Sequence, residues 1–220
     1  GDIEARAGLI LAHQKPCQIH NNCSGKHAGV LTLAQHLKAG PEYIDPAHPV
    51  QAAVRTVFEE VTGEASPGYG IDGCSAPNFA TTVAGLARAM TAFARANPDG
   101  SLRERAMARL HRAMAAYPEL VAGEGRFCTE LMRAMGGRVA IKTGAEAVFV
   151  AILPDQRLGV ALKIDDGSTR ASEAAITAIL IRLGVLDAGH PAAARYLSGP
   201  LKNWRGMVTG EIRLAAGFPR

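Results

Sequence analysis

The stretch from 147 to 164, Ala-Val-Phe-Val-Ala-Ile-Leu-Pro-Asp-Gln-Arg-Leu-Gly-Val-Ala-Leu-Lys-Ile, decides the fold class of this chain. Residues 147–153 form a near-continuous apolar run, which predicts a buried strand. Residues 154–157 predict a hairpin connection, and residues 158–164 predict the returning strand. A short β-like segment at 138–142 precedes them. The sequence therefore predicts three antiparallel strands in this part of the chain.

Apolar residues at helical spacing predict several helices before these strands and one helix after them. Ser24 is placed to cap the first predicted helix and Gly40 to end it. Pro49 takes a first-turn position in the second helix. Ser101 is placed to cap a later one. The predicted helices cover 26–38, 50–62, 79–96, 101–116 and 170–183.

These elements predict an α/β chain of the α+β type, with a helical lobe beside an antiparallel sheet. We expect one domain over 1–220, with the helical part at about 1–137 and the sheet and closing helix at about 138–220. A three-stranded sheet with two open edges is poorly protected, so we expect strands from elsewhere to complete it. The chain begins with Gly1 and not with Met. We interpret this as processing or as a missing N-terminal segment that holds those strands.

The composition narrows the class of protein. Of the 220 residues, 48% are hydrophobic and 20% are charged, and the net charge is +4. The basic residues form no run and are not interleaved with aromatics, which argues against nucleic-acid binding. No apolar stretch reaches membrane length. Four cysteines in a chain of this length do not form a disulfide scaffold, so we expect a reduced, cytoplasmic location.

Two short motifs suggest different chemistries. Gly68-Tyr69-Gly70-Ile71-Asp72-Gly73 fits the dinucleotide pattern G-x-G-x-x-G, but no strand precedes it, and Pro77 falls where the phosphate-binding helix should begin. We reject it as a dinucleotide site. Lys142-Thr143-Gly144 matches the K-T-G element of penicillin-binding proteins and class A β-lactamases, and it ends a predicted strand. The alternative is that Lys142 is an exposed lysine before a turn and has no catalytic role.

The Ser-x-x-Lys partner of that element is absent, because no serine in the sequence has a lysine three residues later. Ser24-Gly25-Lys26 is one residue too short, and residues two apart do not share a helix face. The sequence therefore does not contain this nucleophile pair.

The densest polar cluster is Asn21-Asn22-Cys23-Ser24-Gly25-Lys26-His27, at the start of a predicted helix. There, free backbone N–H groups favour anions. Asp72-Gly73-Cys74-Ser75-Ala76-Pro77 is predicted to precede another helix in the same way. Cys23 and Cys74 could be metal ligands, but they are single cysteines and zinc needs three or four ligands. Two buried, inert thiols are the alternative.

Three blocks of this sequence resemble the successive signatures of the L-asparaginase II (rhizobial-type) family, which is related to the penicillin-recognising serine hydrolases. They are residues 21–29, 70–80 and 141–149. Residues 203–206 and 208–213 resemble the C-terminal ending of the family. The order and spacing agree across nearly the whole chain.

This resemblance implies a serine β-lactamase-like fold, of which the chain is the C-terminal portion, and a homodimer that hydrolyses L-asparagine to aspartate and ammonia. It implies a zinc site at Cys23, Lys26 and Cys74. A lysine ligand must be deprotonated, which burial and the charge of the metal favour. The residues implied for substrate contact and catalysis are Ser24, His27, Asp72 and Cys128 in the substrate pocket and Lys142 in the active site.

The nucleophile of the family is a serine in a Ser-x-x-Lys motif that precedes the first block by more residues than this chain has. We therefore expect the nucleophile to lie outside the chain, in the missing N-terminal segment. Two other functions stay open. One is a penicillin-binding or esterase-like serine hydrolase, which leaves the Cys-Ser-Gly-Lys block unexplained. The other is a truncated, inactive chain that still binds metal or amino acid.

Overall fold

Helices and small antiparallel sheets together build this chain, in agreement with the predicted α+β class. The computed structural model describes residues 3–218. The chain divides into two compact units, of which the first ends at Ala89 and the second begins at Met90. The elements of the first unit are α1 (Ile3–Leu11), α2 (Ser24–His36), α3 (Pro49–Thr62), β1 (Tyr69–Ile71), β2 (Pro77–Phe79) and the beginning of α4 (Val83–Arg95).

The second unit contains the sheet that the sequence predicted. The strands β3, β4 and β5 pair antiparallel in that order, with Lys142 opposite Val150 and Phe149 opposite Leu162. The prediction of an antiparallel sheet within 138–164 is confirmed. That further strands complete it, in a β-lactamase-like fold, stays a prediction. The elements are α5 (Leu102–Ala116), α6 (Pro118–Ala122), α7 (Phe127–Ala134), β3 (Ala140–Thr143), β4 (Val148–Leu153), β5 (Leu158–Lys163), α8 (Thr169–Arg182), α9 (Pro191–Leu197), β6 (Gly199–Lys202) and β7 (Val208–Ile212).

The core of the second unit lies between the sheet and helices α7 and α8. Ile141 and Phe149 of the sheet, Leu131 of α7, and Ile176 and Leu180 of α8 are all fully buried. Burial of each such side chain stabilises the fold by about 1.5–3 kcal/mol relative to exposure. The packing of Ile141 fixes β3, and β3 carries the K-T-G element at its end.

The predicted caps are confirmed in two helices. Pro49 is the first residue of α3. Ser101 caps α5: its Oγ accepts a hydrogen bond from Glu104 N at 3.3 Å, and the Glu104 carboxylate accepts one from Ser101 N at 2.9 Å. These reciprocal bonds satisfy two N–H groups that the helix itself leaves unpaired.

The predicted ends of two other helices are wrong. Helix α2 already begins at Ser24, and Cys23 is its N-cap. It ends at His36, and Lys38 rather than Gly40 adopts the left-handed conformation, with a φ of 52°. The helix predicted from residue 79 begins only at Val83, because residues 77–79 pair in a hairpin. Within residues 3–218, no helix is both long and apolar enough to cross a membrane.

Glu64 holds the beginning of α4. Its Oε1 accepts hydrogen bonds from Thr82 N at 2.7 Å and from Thr81 Oγ1 at 2.5 Å, and its Oε2 pairs with Arg88 Nη2 at 2.7 Å. The hydrogen bonds from Thr81 and Thr82, together with Arg88, lower the pKa of Glu64 to about 2. The carboxylate therefore stays charged at the positive end of the helix, where an anion is favoured.

Gly85→Ala is expected to destabilise the first unit. A Cβ at this position would overlap Thr81 Oγ1 and Glu64 Oε1, which the bonds just described hold in place. The midpoint of thermal unfolding, followed by circular dichroism, should fall by several degrees. A destabilisation of about 1 kcal/mol lowers the midpoint of a protein of this size by roughly 2–4 °C.

The matched control is Gly29→Ala in helix α2. A Cβ there meets nothing within 4 Å, so the greater helix propensity of alanine should raise the midpoint or leave it unchanged. Equal shifts in both variants would show that the Glu64 contacts do not fix the helix start.

Candidate functional site

Asp72 organises the turn that joins β1 to β2. Its Oδ1 accepts hydrogen bonds from the backbone N–H groups of Cys74 at 2.8 Å and Ala76 at 3.3 Å. Ser75 N donates to Asp72 O at 3.0 Å, and Ser75 has a left-handed φ of 72°. A non-glycine residue in this conformation is uncommon and is often found at functional sites. The turn thus fixes the position of the Cys74 side chain.

This turn corrects one prediction and supports another. Residues 72–77 do not precede a helix, as the sequence suggested, because β2 follows them. Residues 68–73 contain β1 and the beginning of its hairpin turn, and they do not join a strand to a helix. The rejection of a dinucleotide site agrees with this geometry, since the phosphate would need the N-terminus of a helix.

The start of helix α2 positions the second half of the site. Asn21 Oδ1 accepts a hydrogen bond from Cys23 N at 2.7 Å, which shapes the chain just before the helix. Cys23 is the N-cap, but its side chain makes no capping hydrogen bond. Lys26, three residues later, lies on the same side of the first turn. The Cys23 thiol is therefore available to residues outside its own helix.

The hairpin turn and the helix start meet at four side chains. Lys26 Nζ lies 2.7 Å from Asp72 Oδ2, and Cys74 Sγ lies 2.8 Å from Asp72 Oδ1. Cys74 also lies close enough to both Cys23 and Lys26 to raise their pKa values. Residues that are about fifty positions apart in the sequence thus form one cluster, which we call the Cys-Lys-Asp cluster.

Mutual contacts shift the ionisation of this cluster. Burial lowers the pKa of Lys26, but hydrogen bonds to Asp72 and Cys74 outweigh it and raise that pKa. Burial raises the pKa of Asp72, but bonds from Cys74 and Lys26 bring it well below its usual range. Burial and the neighbouring Cys74 raise the pKa of Cys23. Without a metal, the cluster is an ammonium–carboxylate pair beside protonated Cys23.

The donor atoms of the cluster suit a zinc ion. Zinc binds thiolate sulfur and nitrogen in tetrahedral sites, and two thiols and one amine converge here. Across residues 3–218, no group of three or more His, Cys, Asp or Glu side chains is arranged to hold a metal. Lys26 is a nitrogen donor beside these groups, and it would have to lose its proton to bind a metal.

A cavity of about 430 Å³ opens beside the cluster. Cys74 contributes to its wall, as do Ser24 and His27, two of the residues predicted to contact substrate. His27 Nδ1 lies 2.5 Å from the hydroxyl oxygen of Tyr43, which also lines the cavity. Apolar side chains also line it: Ile19, Leu31 and Ile44. The cavity can hold a small polar molecule with a short apolar part.

The remaining predicted site residues lie in the second unit. Lys142 is exposed at the end of β3, and its Nζ donates to Thr143 O at 2.5 Å. Cys128 in α7 is 1% exposed, and its thiol contacts the backbone of Thr143. Burial raises the pKa of this thiol, so Cys128 is an unreactive group that packs behind the K-T-G element. Its contact with substrate stays a prediction.

Sequence reasoning missed Tyr43. This residue lies in the loop between α2 and α3, and no motif or periodic pattern includes it. Its backbone oxygen accepts a hydrogen bond from Gln51 Nε2 at 2.6 Å, and Gln51 is a buried polar residue in α3. A glutamine close to the apolar positions of α3 was the signal in the sequence that some polar partner lies nearby.

A family model described as L-asparaginase II matches residues 2–214 of the chain. None of the curated proteins matches it. The family match covers both compact units, and it includes the Cys-Lys-Asp cluster and the K-T-G element.

Proposed function

The chain belongs to the L-asparaginase II family, and from this premise we propose that it is an amidohydrolase that converts L-asparagine to L-aspartate and ammonia. The observation that carries the proposal is the Cys-Lys-Asp cluster beside a cavity of about 430 Å³. Both hydrogen-bonding and aliphatic side chains line the cavity. This suits an amino acid with a short side chain, because its polar ends and its methylene carbon need different surroundings.

We propose that Cys23, Lys26 and Cys74 hold one zinc ion. Three protein ligands leave a fourth tetrahedral position for water or substrate. When bound, the ion would supply a positive charge that positions the substrate. Asp72, which pairs with Lys26 at 2.7 Å, would then be free to bind an ammonium group of the ligand.

The proposed chemistry is acyl transfer through a serine. The serine oxygen attacks the side-chain amide carbon and gives its proton to a neighbouring base; the C–N bond breaks and ammonia leaves with that proton; water then adds to the acyl carbon, which releases aspartate and restores the serine. We assign to Lys142 the role of the K-T-G lysine, which helps to activate the serine. The 220 residues contain no Ser-x-x-Lys motif, so we propose that this serine comes from additional sequence. A homodimer and a β-lactamase-like fold are further proposals from the family.

Binding of L-aspartate tests the substrate class without the nucleophile. The chain should bind this product with a dissociation constant in the range of roughly 1 μM to 1 mM, which is usual for enzymes and their substrates. Isothermal titration calorimetry measures it. Succinate is the matched control ligand, because it keeps both carboxylates and lacks the ammonium group that Asp72 is proposed to bind.

Two outcomes would contradict this proposal in different ways. Binding of benzylpenicillin in place of L-aspartate would favour the penicillin-binding alternative. Binding of neither ligand, by a chain that unfolds cooperatively, would favour the inactive fragment.

A further inference from the structure

The hydrogen bond between Tyr43 and His27 joins two separate parts of the cavity wall. His27 lies in the first turn of α2, and Tyr43 lies in the loop that leads to α3. Their rings meet edge to face, with centroids 5.5 Å apart and an interplanar angle of 61°. Gln51, which is 3% exposed, holds the backbone of Tyr43 from α3. The tyrosine is thus fixed independently of the helix that carries His27.

The direction of this hydrogen bond depends on the tautomer of His27, and two observations favour one direction. Hydroxyl donors make shorter bonds than ring N–H donors, and the Tyr43 oxygen lies only 2.5 Å from His27 Nδ1. Within residues 3–218, the Tyr43 hydroxyl has no other acceptor for its proton. Both observations favour Tyr43 as the donor and His27 Nδ1 as the acceptor, which is the arrangement in the Nε2–H tautomer of His27.

The tautomer of His27 follows from that direction. A neutral imidazole that accepts at Nδ1 carries its proton at Nε2. In the part of the chain that the structure describes, Nε2 of His27 has no hydrogen-bond partner. His27 lines the cavity, so the N–H group at Nε2 is the donor that this side chain can offer to a ligand.

We propose that Tyr43 is a positioning residue that holds His27 in its Nε2–H form, so that His27 donates a hydrogen bond to a carboxylate or amide oxygen of the ligand. This rests on the proposed function for the identity of the ligand, an amino acid of the aspartate and asparagine class. Without the tyrosine hydroxyl, the ring can exchange its proton between both nitrogens and can rotate. A fraction of the molecules then presents an acceptor to the ligand oxygen, and two acceptors repel each other.

The test is a double-mutant cycle on the 220-residue chain, with L-aspartate binding as the readout. Tyr43→Phe should raise the dissociation constant by roughly three- to tenfold, the usual effect of one lost hydrogen bond. In a His27→Ala background, the same change should have no further effect, because its partner is already gone. Tyr69→Phe is the matched control, since this tyrosine packs its ring on Phe79 and does not line the cavity.

Nitrogen-15 NMR of the His27 ring gives a readout that a merely structural role would not move. The parent chain should show the proton at Nε2, and Tyr43→Phe should show a mixture of both tautomers. The proposal would be overturned if the increases in the dissociation constant of the two single variants multiplied in the double variant. It would also be overturned if Tyr43→Phe left the tautomer of His27 unchanged. If the parent chain does not bind L-aspartate, the proposed function fails, whereas the NMR measurement still decides whether Tyr43 sets the tautomer of His27.

Discussion

The 220-residue chain is expected to release ammonia from L-asparagine at a rate on the order of a millionfold below that of a longer protein that adds the Ser-x-x-Lys segment. The sequence lacks that motif, and removal of the nucleophile leaves only binding and polarisation of the amide. The measurement is ammonia production by both proteins at equal concentration, with folding verified by circular dichroism.

Lys142→Ala in the longer protein should reduce ammonia release by roughly 10²–10⁴-fold, the usual contribution of a group that takes part in proton transfer. Lys163→Ala is the matched control. Both lysines are exposed at the ends of strands, and the Nζ of each donates to the carbonyl oxygen of the next residue. If ammonia release falls in Lys142→Ala and not in Lys163→Ala, the fall reflects the role of Lys142 in catalysis and not the removal of a surface charge.

Two other outcomes of the ammonia assay would contradict the proposed nucleophile or the proposed substrate. If the isolated chain matches the longer protein, the nucleophile lies within these residues, and Ser24 and Ser75 are the first candidates. Ser24 and Ser75 both line the cavity, and Ser75 has a left-handed φ of 72°. If neither protein acts on L-asparagine, the family membership fixes the fold and leaves the substrate to be found.

The fold could be predicted where a pattern was long and regular. The apolar run at 147–153 gave β4 because a buried strand excludes polar side chains, and the run after it gave β5, which is half-buried. Short elements were missed. Helix α7 spans Phe127–Ala134, too few residues for a periodic pattern, although it supplies Leu131 and Met132 to the core. The hairpin of β6 and β7 was also missed, because β6 is only four residues long and β7 is almost entirely exposed.

The candidate site could be predicted only through the resemblance to a family. Cys23 and Cys74 are single cysteines, and their spacing of about fifty residues predicts nothing by itself. The resemblance grouped them with Lys26, and these side chains do lie together. It did not indicate the pairing of Lys26 with Asp72 at 2.7 Å. That pairing depends on the turn between β1 and β2, which the sequence suggested was the start of a helix.

The bond between His27 and Tyr43 could not be predicted for a similar reason. It joins a helix start to a loop, and loops follow no periodic rule. The polar residue Gln51 inside α3 indicated that a buried group needed a partner, but it could not identify that partner. Tertiary contacts between irregular segments are thus the part of the site that sequence patterns leave undetermined.

Cys23→Ser combined with Cys74→Ser is expected to reduce bound zinc from about one ion per chain to close to none, because only one of three protein ligands remains. Metal analysis of the purified chain after dialysis measures this. Cys17→Ser is the matched control, since Cys17 is exposed and its Sγ lies 3.3 Å from Nδ1 of its near neighbour His20. Full zinc content in the double variant would refute the proposed site.

The role of Lys26 is decided by a comparison of Lys26→Arg with Lys26→Met. An arginine can keep the ion pair with Asp72 but cannot lose its proton to bind a metal. A methionine keeps the length and loses the pair. If Lys26 is a ligand, both variants should lose most of their zinc, although Lys26→Arg preserves the charge. If Lys26→Arg retains the zinc of the parent chain, Lys26 only neutralises Asp72, and the third ligand must be another group.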